Sequence, residues 1–368
     1  MSIWQQPLIS KTNKQNNFLK FIISCVVVGL FFVVGLFFIK YIKELDVVNV
    51  QSEINKNSSS TIQTCLPKQA GGDCLRRKLD GVYVKEGEDN LYPIAVIIDN
   101  HVEARPAAGL AKANLVYEAE TEGGITRFLA IYSGKENIAK IGPIRSARFY
   151  FVDWSNELSG LFVHCGGSPD ALVKIIQSRV VDLNEFYNAN HFWRDSNEQA
   201  PHNVYTSSEK LKELLNKKQL SQCNFSGWQF KDDLLLINRP ENSAITIFYK
   251  TSDFIVKWKY SKVKNNYQRY VDDKPQSDQD KKFIVAKNIV VEYIKSEIVD
   301  EKLRLKITTV GSGQAVICLD GTCQKGNWNK DKTINRNRFY YNTGEEVKFN
   351  AGTTWIEVID SNKKIEYQ

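Results

Sequence analysis

A chain of 368 residues, 42% hydrophobic and 25% charged, is long enough for two domains and has ordinary globular composition. The net charge of +7 is modest, and no Lys/Arg block approaches the dense basic stripe that tracks a phosphate backbone, so no nucleic-acid partner is expected. Neither a Walker A nor a G-x-G-x-x-G pattern occurs, which argues against a nucleotide-driven enzyme, and no cofactor is expected.

Residues 1–17 are polar and read as a cytoplasmic tail. Residues 18–39 follow as FLKFIISCVVVGLFFVVGLFFI, and from Phe21 to Ile39 no charge interrupts the run. At about 1.5 Å per residue this nearly spans a ~30 Å hydrocarbon core, so one N-terminal transmembrane helix is predicted. A buried core helix would show a polar face, and this run has none. A cleaved signal peptide would have a shorter apolar stretch and a small-x-small cleavage site, where this chain has Lys40-Tyr-Ile-Lys-Glu. Cys25 lies near the start of the run, so there is no lipobox. Lys11, Lys14 and Lys20 precede the span and Lys40 and Lys43 follow it, a slight bias for the N-terminus inside. Residues 40–74 form a linker, with the polar, non-periodic NKNSSSTIQT as a stalk.

The segment 75–220 is expected to be an α/β or α+β domain. Short apolar strands are predicted at Pro93–Ile98, Leu115–Tyr117, Phe128–Tyr132 and Leu161–Cys165. Short helices are predicted within Ala104–Lys112 and, with an amphipathic pattern, over Arg145–Leu158. Cys165 is followed at once by Gly166-Gly167-Ser168-Pro169-Asp170. Ser168 fits an N-cap, Pro169 the first helical position and Asp170 the first turn. Strand, Gly-Gly-Ser, helix presents backbone N–H groups at a positive helix end and can receive an anion, although many helices are capped this way with nothing bound.

From residue 244 the runs become short, alternating and bounded by Gly/Asn/Asp turns, so 244–368 is expected to be a mainly antiparallel β domain. The boundary is placed between Lys217 and Ser243. Asp320-Gly321 is a preferred two-residue type I′ hairpin turn, which sets Cys318 opposite Cys323 and predicts a cross-strand disulfide. Cys65 and Cys74 bracket a Gly-rich loop and can form a second bridge. Both bridges require an oxidising compartment, which places the globular part outside the cytoplasm.

Polar clusters gather at the ends of the apolar runs between Pro93 and Asn203. They hold Arg105, Arg127, Arg145, Arg148 and Arg194, the carboxylates Asp99, Glu118, Glu120 and Glu122, and all four histidines. Arginine offers a planar fork of donors suited to carboxylate and phosphate. The same arginines can also pair with Asp99, Glu118 and Glu122 simply to lock loops together. Candidate ligand-binding residues are Asn100, Arg105, Glu118, Arg127, Arg145, Arg148, His164, Gly166, Gly167, Ser168, Arg194 and Asn203. Candidate acid–base groups are Asp99, Glu122 and His202. A metal site made from His101, His164, His202 and Asp99 is conceivable, but no H-x-H or H-E-x-x-H spacing supports it, so no metal is assigned. Ser146 and Ser168 lack a G-x-S-x-G context.

The run IAVIIDNHVEARPAAGLAKANLVYEAETEGGITRFLAIY, then KIGPIRSARFYFVD, VHCGGSPDAL, FWRD and APHNVYTS, closely resembles the DUF3048 family of YerB-like lipoproteins. GSGQAVICLDG, KGNW and GTTWIEV resemble the smaller C-terminal domain of that family. The resemblance implies an extracytoplasmic, membrane-attached bacterial protein with no established reaction. The chain departs from the lipoprotein form, because a transmembrane anchor takes the place of the lipidated cysteine. Cys165 stands where a small apolar residue is expected, which argues against a cysteine nucleophile.

Two function classes follow. One is a cell-envelope module that binds an anionic glycan, peptide or phosphate polymer, or an envelope protein. The other is a hydrolase or transferase on such a polymer, with Asp99, Glu122 and His202 as acid–base groups.

Overall fold

The computed structural model describes residues 73–249 and 252–368. The expected anchor at 18–39, the stalk and Cys65 lie outside the described residues. Among the described residues no helix is long and apolar enough to cross a membrane.

A ten-stranded mixed sheet carries the architecture. Its strands are β1 (Ile94–Asp99), β2 (Leu115–Glu120), β3 (Thr126–Tyr132), β4 (Leu161–His164), β5 (Val181–Asn184), β6 (Asn288–Ile294), β7 (Gly311–Leu319), β8 (Thr322–Lys330), β9 (Arg338–Tyr341) and β10 (Thr354–Asp360). Their order across the sheet is β9-β8-β7-β6-β10-β2-β3-β1-β4-β5. The segments 75–220 and 244–368 meet inside it, where β2 pairs in parallel with β10 from Leu115↔Thr354 to Ala119↔Val358. On one side of that seam β1, β4 and β5 run parallel and β3 is antiparallel to both of its neighbours. On the other, β6 is parallel to β10, and β7, β8 and β9 follow as antiparallel hairpins.

Strands β1, β2 and β3 are buried at every position, as expected of central strands covered on both faces. One face is covered by helix α1 (Phe149–Asn156), whose Trp154 stacks on Tyr117 with centroids 5.0 Å apart. The other is covered by a six-stranded antiparallel sheet built from 244–286 and 365–367, with Trp258 set edge-on against Trp355. The alternating burial of Ile255–Ser261 and Asn266–Val271 fits a sheet with one wet face. The described residues are thus mostly β, with α2 (Pro169–Ile176) and α3 (Ser208–Lys217) as the other α-helices.

Two helical expectations need correction. Residues 144–148 are extended. Ile144 N–H donates to Val204 O, Arg145 N–H to Ile97 O and Ala147 N–H to Gly166 O, so this segment lies along the strand ends and α1 begins only at Phe149. The helix is not amphipathic either, because Tyr150 through Asn156 are all buried. Between Ala104 and Lys112 there is no α-helix, only single 3-10 turns at Val102–Ala104 and Leu110–Lys112. By contrast, α2 starts at Pro169 after Ser168, and the Asp320-Gly321 turn joins β7 to β8 with both residues at positive φ. Cys318 and Cys323 face each other in register and are bridged. Cys74 is also disulfide-bonded.

Candidate functional site

The extended 144–148 segment passes the C-terminal ends of β1 and β4. It therefore delivers Arg145, Ser146 and Arg148 to the edge where β1 ends at Asp99 and β4 leads into the α2 turn, the end of a sheet at which sites commonly form.

Around Asp99, Arg145 Nε and His202 Nδ1 lie 2.9 and 2.6 Å from Oδ2, and the His101 N–H donates to Oδ1 at 3.0 Å. Burial opposes ionisation of Asp99. Arg145 above all, with the His101 N–H, Arg127 and His202, outweighs it and holds the carboxyl below the usual carboxylate range. The His202 and His101 rings are stacked at 4.9 Å.

Around Glu122, Arg148 binds both carboxylate oxygens, Nε to Oε1 at 2.5 Å and Nη2 to Oε2 at 2.8 Å. Burial again opposes ionisation, but the Arg148 fork and Arg127 pull the Glu122 pKa down. Arg127 stands between the two clusters, with Nη1 donating to Ser146 O at 3.2 Å and Nη2 3.8 Å from Glu122 Oε2. Burial, then the neighbouring Arg148, lowers its own pKa to about 10.

Glu122 and Arg148 open onto a cleft of about 350 Å³, also lined by Ser146, Gly167, Ser168, Pro169, Lys302 and Arg304. Ser168 is 6% exposed, its side chain makes no capping bond to α2, and its Oγ has no hydrogen-bond partner. Lys302 and Arg304 come from the C-terminal segment, and no local sequence signal marks them. Arg304 is shared with Asp300 at 2.5 Å, while Lys302 has no ion-pair partner among the described residues. With Arg148 held by Glu122 and Arg304 by Asp300, Lys302 is the lining cation left without a counter-ion among the described residues. A helix start, a buried hydroxyl and this charge excess can together hold a small anionic group.

Several predicted site residues belong to the interior instead. Glu118 is fully buried, 2.6 Å from the equally buried Arg269 Nη2. Asn100 donates to Thr126 Oγ1 at 2.7 Å and to Glu118. Arg105 ties this region to the C-terminal segment, donating to Asn100 Oδ1 and Asp253 O and lying 4.8 Å over the Phe254 ring. His164 has no exposed surface, and its nitrogens are taken by Gly166 O and Asp182 Oδ1, each at 2.7 Å. Gly166 supplies the positive φ of the turn, and its N–H donates to Asn184 Oδ1. Arg194 clamps Asn203 and Glu185 on the surface. The predicted residues therefore form two adjoining clusters and a structural remainder, not one pocket. Burial and Glu185 raise the Cys165 thiol to about 11, so it is not a thiolate near neutral pH.

Residues 79–221 match the family model for the protein of unknown function (DUF3048) N-terminal domain, and residues 245–356 that for its C-terminal domain. A Bacillus subtilis (strain 168) protein named "Putative lipoprotein YerB" is 30% identical over 311 residues, covering 80% of this chain and 90% of the relative. The crystal structure of the YerB protein from Bacillus subtilis superposes with a TM-score of 0.70 at 29% identity, over 79% of this chain and 99% of that one.

Proposed function

The chain belongs to the DUF3048 family, and from that premise we propose that it is a membrane-anchored, extracytoplasmic cell-envelope protein that binds an anionic ligand in the Arg148–Ser168 cleft. The observation that carries this reading is the cleft at the start of α2, where Arg148, Lys302 and Arg304 gather beside Ser168, whose buried Oγ has no hydrogen-bond partner. A phosphate or carboxylate on an envelope glycan, peptide or polymer supplies the counter-ion that Lys302 lacks among the described residues and a partner for the Ser168 hydroxyl. Residues 18–39 are the anchor in this reading. Support for the outside location comes from the disulfides and from the lipoprotein name of the Bacillus relative.

The site's electrostatics favour binding over acid–base catalysis. A general acid at neutral pH needs a raised carboxyl pKa, and Asp99 and Glu122 are both shifted down. The raised glutamates, Glu292 and Glu357, are sealed in the core.

The test is titration of the full chain in detergent with inorganic phosphate, pyrophosphate and a polyphosphate. Saturable binding that weakens with salt and drops at least tenfold in Arg148→Ala and Arg304→Ala supports the reading. Absence of saturable binding, or equal affinity in both variants, overturns it.

A further inference from the structure

We propose that His101, Glu103 and His202 form a binding site for a divalent transition cation, with zinc as the first candidate. One donor atom from each of the three lies within 4.8 Å of the other two. Glu103 Oε2 is 3.6 Å from His202 Nε2 and 3.8 Å from His101 Nδ1. Tetrahedral nitrogen and oxygen ligands about 2.0–2.1 Å from zinc stand about 3.3 Å apart, so the donors need to close by only a few tenths of an ångström to about 1.5 Å.

The surroundings select a cation. Asp99 Oδ2 can only accept, so His202 Nδ1 carries a proton, and in the neutral ring this leaves the Nε2 lone pair for a ligand. Nε2 faces the Glu103 carboxylate, and the positive centre between them is either a second ring proton or the cation that displaces it. Arg145 neutralises Asp99. The carboxylate of Glu103 meets no Lys or Arg among the described residues, and its ion-pair partners there are the two imidazoles. A buried carboxylate that fixes the tautomer of a histidine whose other nitrogen faces a metal is the recurrent outer shell of zinc sites. Two imidazoles and one carboxylate also suit a first-row transition ion better than magnesium or calcium, and leave a coordination position open.

One movement is required. A metal lies in the plane of each imidazole, and the two rings are stacked with only 16° between their planes. His101 must turn. Its side chain is 35% exposed, and its ring nitrogen accepts one weak bond, from the Glu103 N–H at 3.3 Å, so nothing substantial holds it in the stack.

The experiment uses the full chain in detergent after treatment with a chelator, titrated with zinc chloride by calorimetry, with X-ray absorption on the loaded protein. The expected result is one zinc per chain in a nitrogen/oxygen shell without sulfur, and affinity reduced at least tenfold in Glu103→Gln and in His101→Ala. Both variants should unfold at the same midpoint as the parent when metal-free, since neither side chain is buried. Three results overturn the site: no saturable zinc, a sulfur-containing shell from Cys165 or Cys223, or affinity unchanged in both variants. The phosphate titration is run metal-free, so failure here leaves the cleft reading standing, and the reverse.

Discussion

Arg269 Nη2 lies 2.6 Å from Glu118 Oε2, and neither side chain has exposed surface. The guanidinium sits among the Phe128, Trp258 and Trp355 rings, 5.4 to 6.0 Å from their centroids. It ties the antiparallel sheet to β2. Arg269→Met leaves Glu118 charged beside Glu357 with no counter-ion, and the expected loss is about 3–5 kcal/mol by urea unfolding. Adding Glu118→Gln should recover much of that loss. A single variant within 1 kcal/mol of the parent would show that the pair does not anchor this layer.

Glu292 contributes to the pH dependence of stability. Burial, then the charge of Glu157, raises its pKa to about 8. The folded state therefore holds this proton more tightly than the unfolded chain does. The resulting stabilisation is complete below an unfolded pKa near 4.3 and is lost as pH rises toward 8, with a slope of up to about 1.4 kcal/mol per pH unit. Unfolding free energies from pH 5 to 8 should fall along this slope. Glu292→Gln should reduce the slope by about that amount and leave the like contribution of Glu357, whose pKa is also raised to about 8, and an identical slope in the variant would refute the assignment.

The Cys318–Cys323 bridge closes a very short loop and is expected to contribute about 2 kcal/mol, near the low end for disulfides. Mild reduction should add two hydrogens to the mass at this pair. Replacing both cysteines by alanine should lower the unfolding midpoint without changing the β content measured by circular dichroism.

Ser168→Ala separates function from architecture. The hydroxyl makes no hydrogen bond, so its removal should change stability by less than about 0.5 kcal/mol. Phosphate affinity should nonetheless fall by about tenfold, one charge-assisted hydrogen bond. At Ser207, which caps α3 by accepting from the Lys210 N–H, the same substitution should cost about 1 kcal/mol and leave phosphate affinity intact. Equal behaviour of the two serines in calorimetry would contradict the cleft.

Local chemistry made much of this legible. β1, β3 and β4 announce themselves by apolar runs, α2 by Ser168-Pro169, and the β7–β8 hairpin by Asp320-Gly321. What failed was decided across distance. Arg145–Arg148 has helical spacing, yet its N–H groups are claimed by strand-end carbonyls, and tertiary bonding overrode the pattern. Glu118 lies in sequence just before the polar Glu120–Glu122 turn, and Arg269, arriving from the other segment, supplies the counter-ion that makes its burial tolerable. Lys302 and Arg304 reach the cleft from the other segment. The helix α3 carried a readable signal, a Ser207 cap before Leu211, Leu214 and Leu215, which the sequence reading does not assign.

The seam between β2 and β10 has a consequence for the order in which the molecule is made. Thr354–Asp360 sits in the middle of the sheet, and the ribosome adds it long after Leu115–Glu120. Until then β2 presents an unpaired hydrophobic edge, and the N-terminal strands can only wait. Such an edge can pair with other chains until Thr354–Asp360 arrives to cover it.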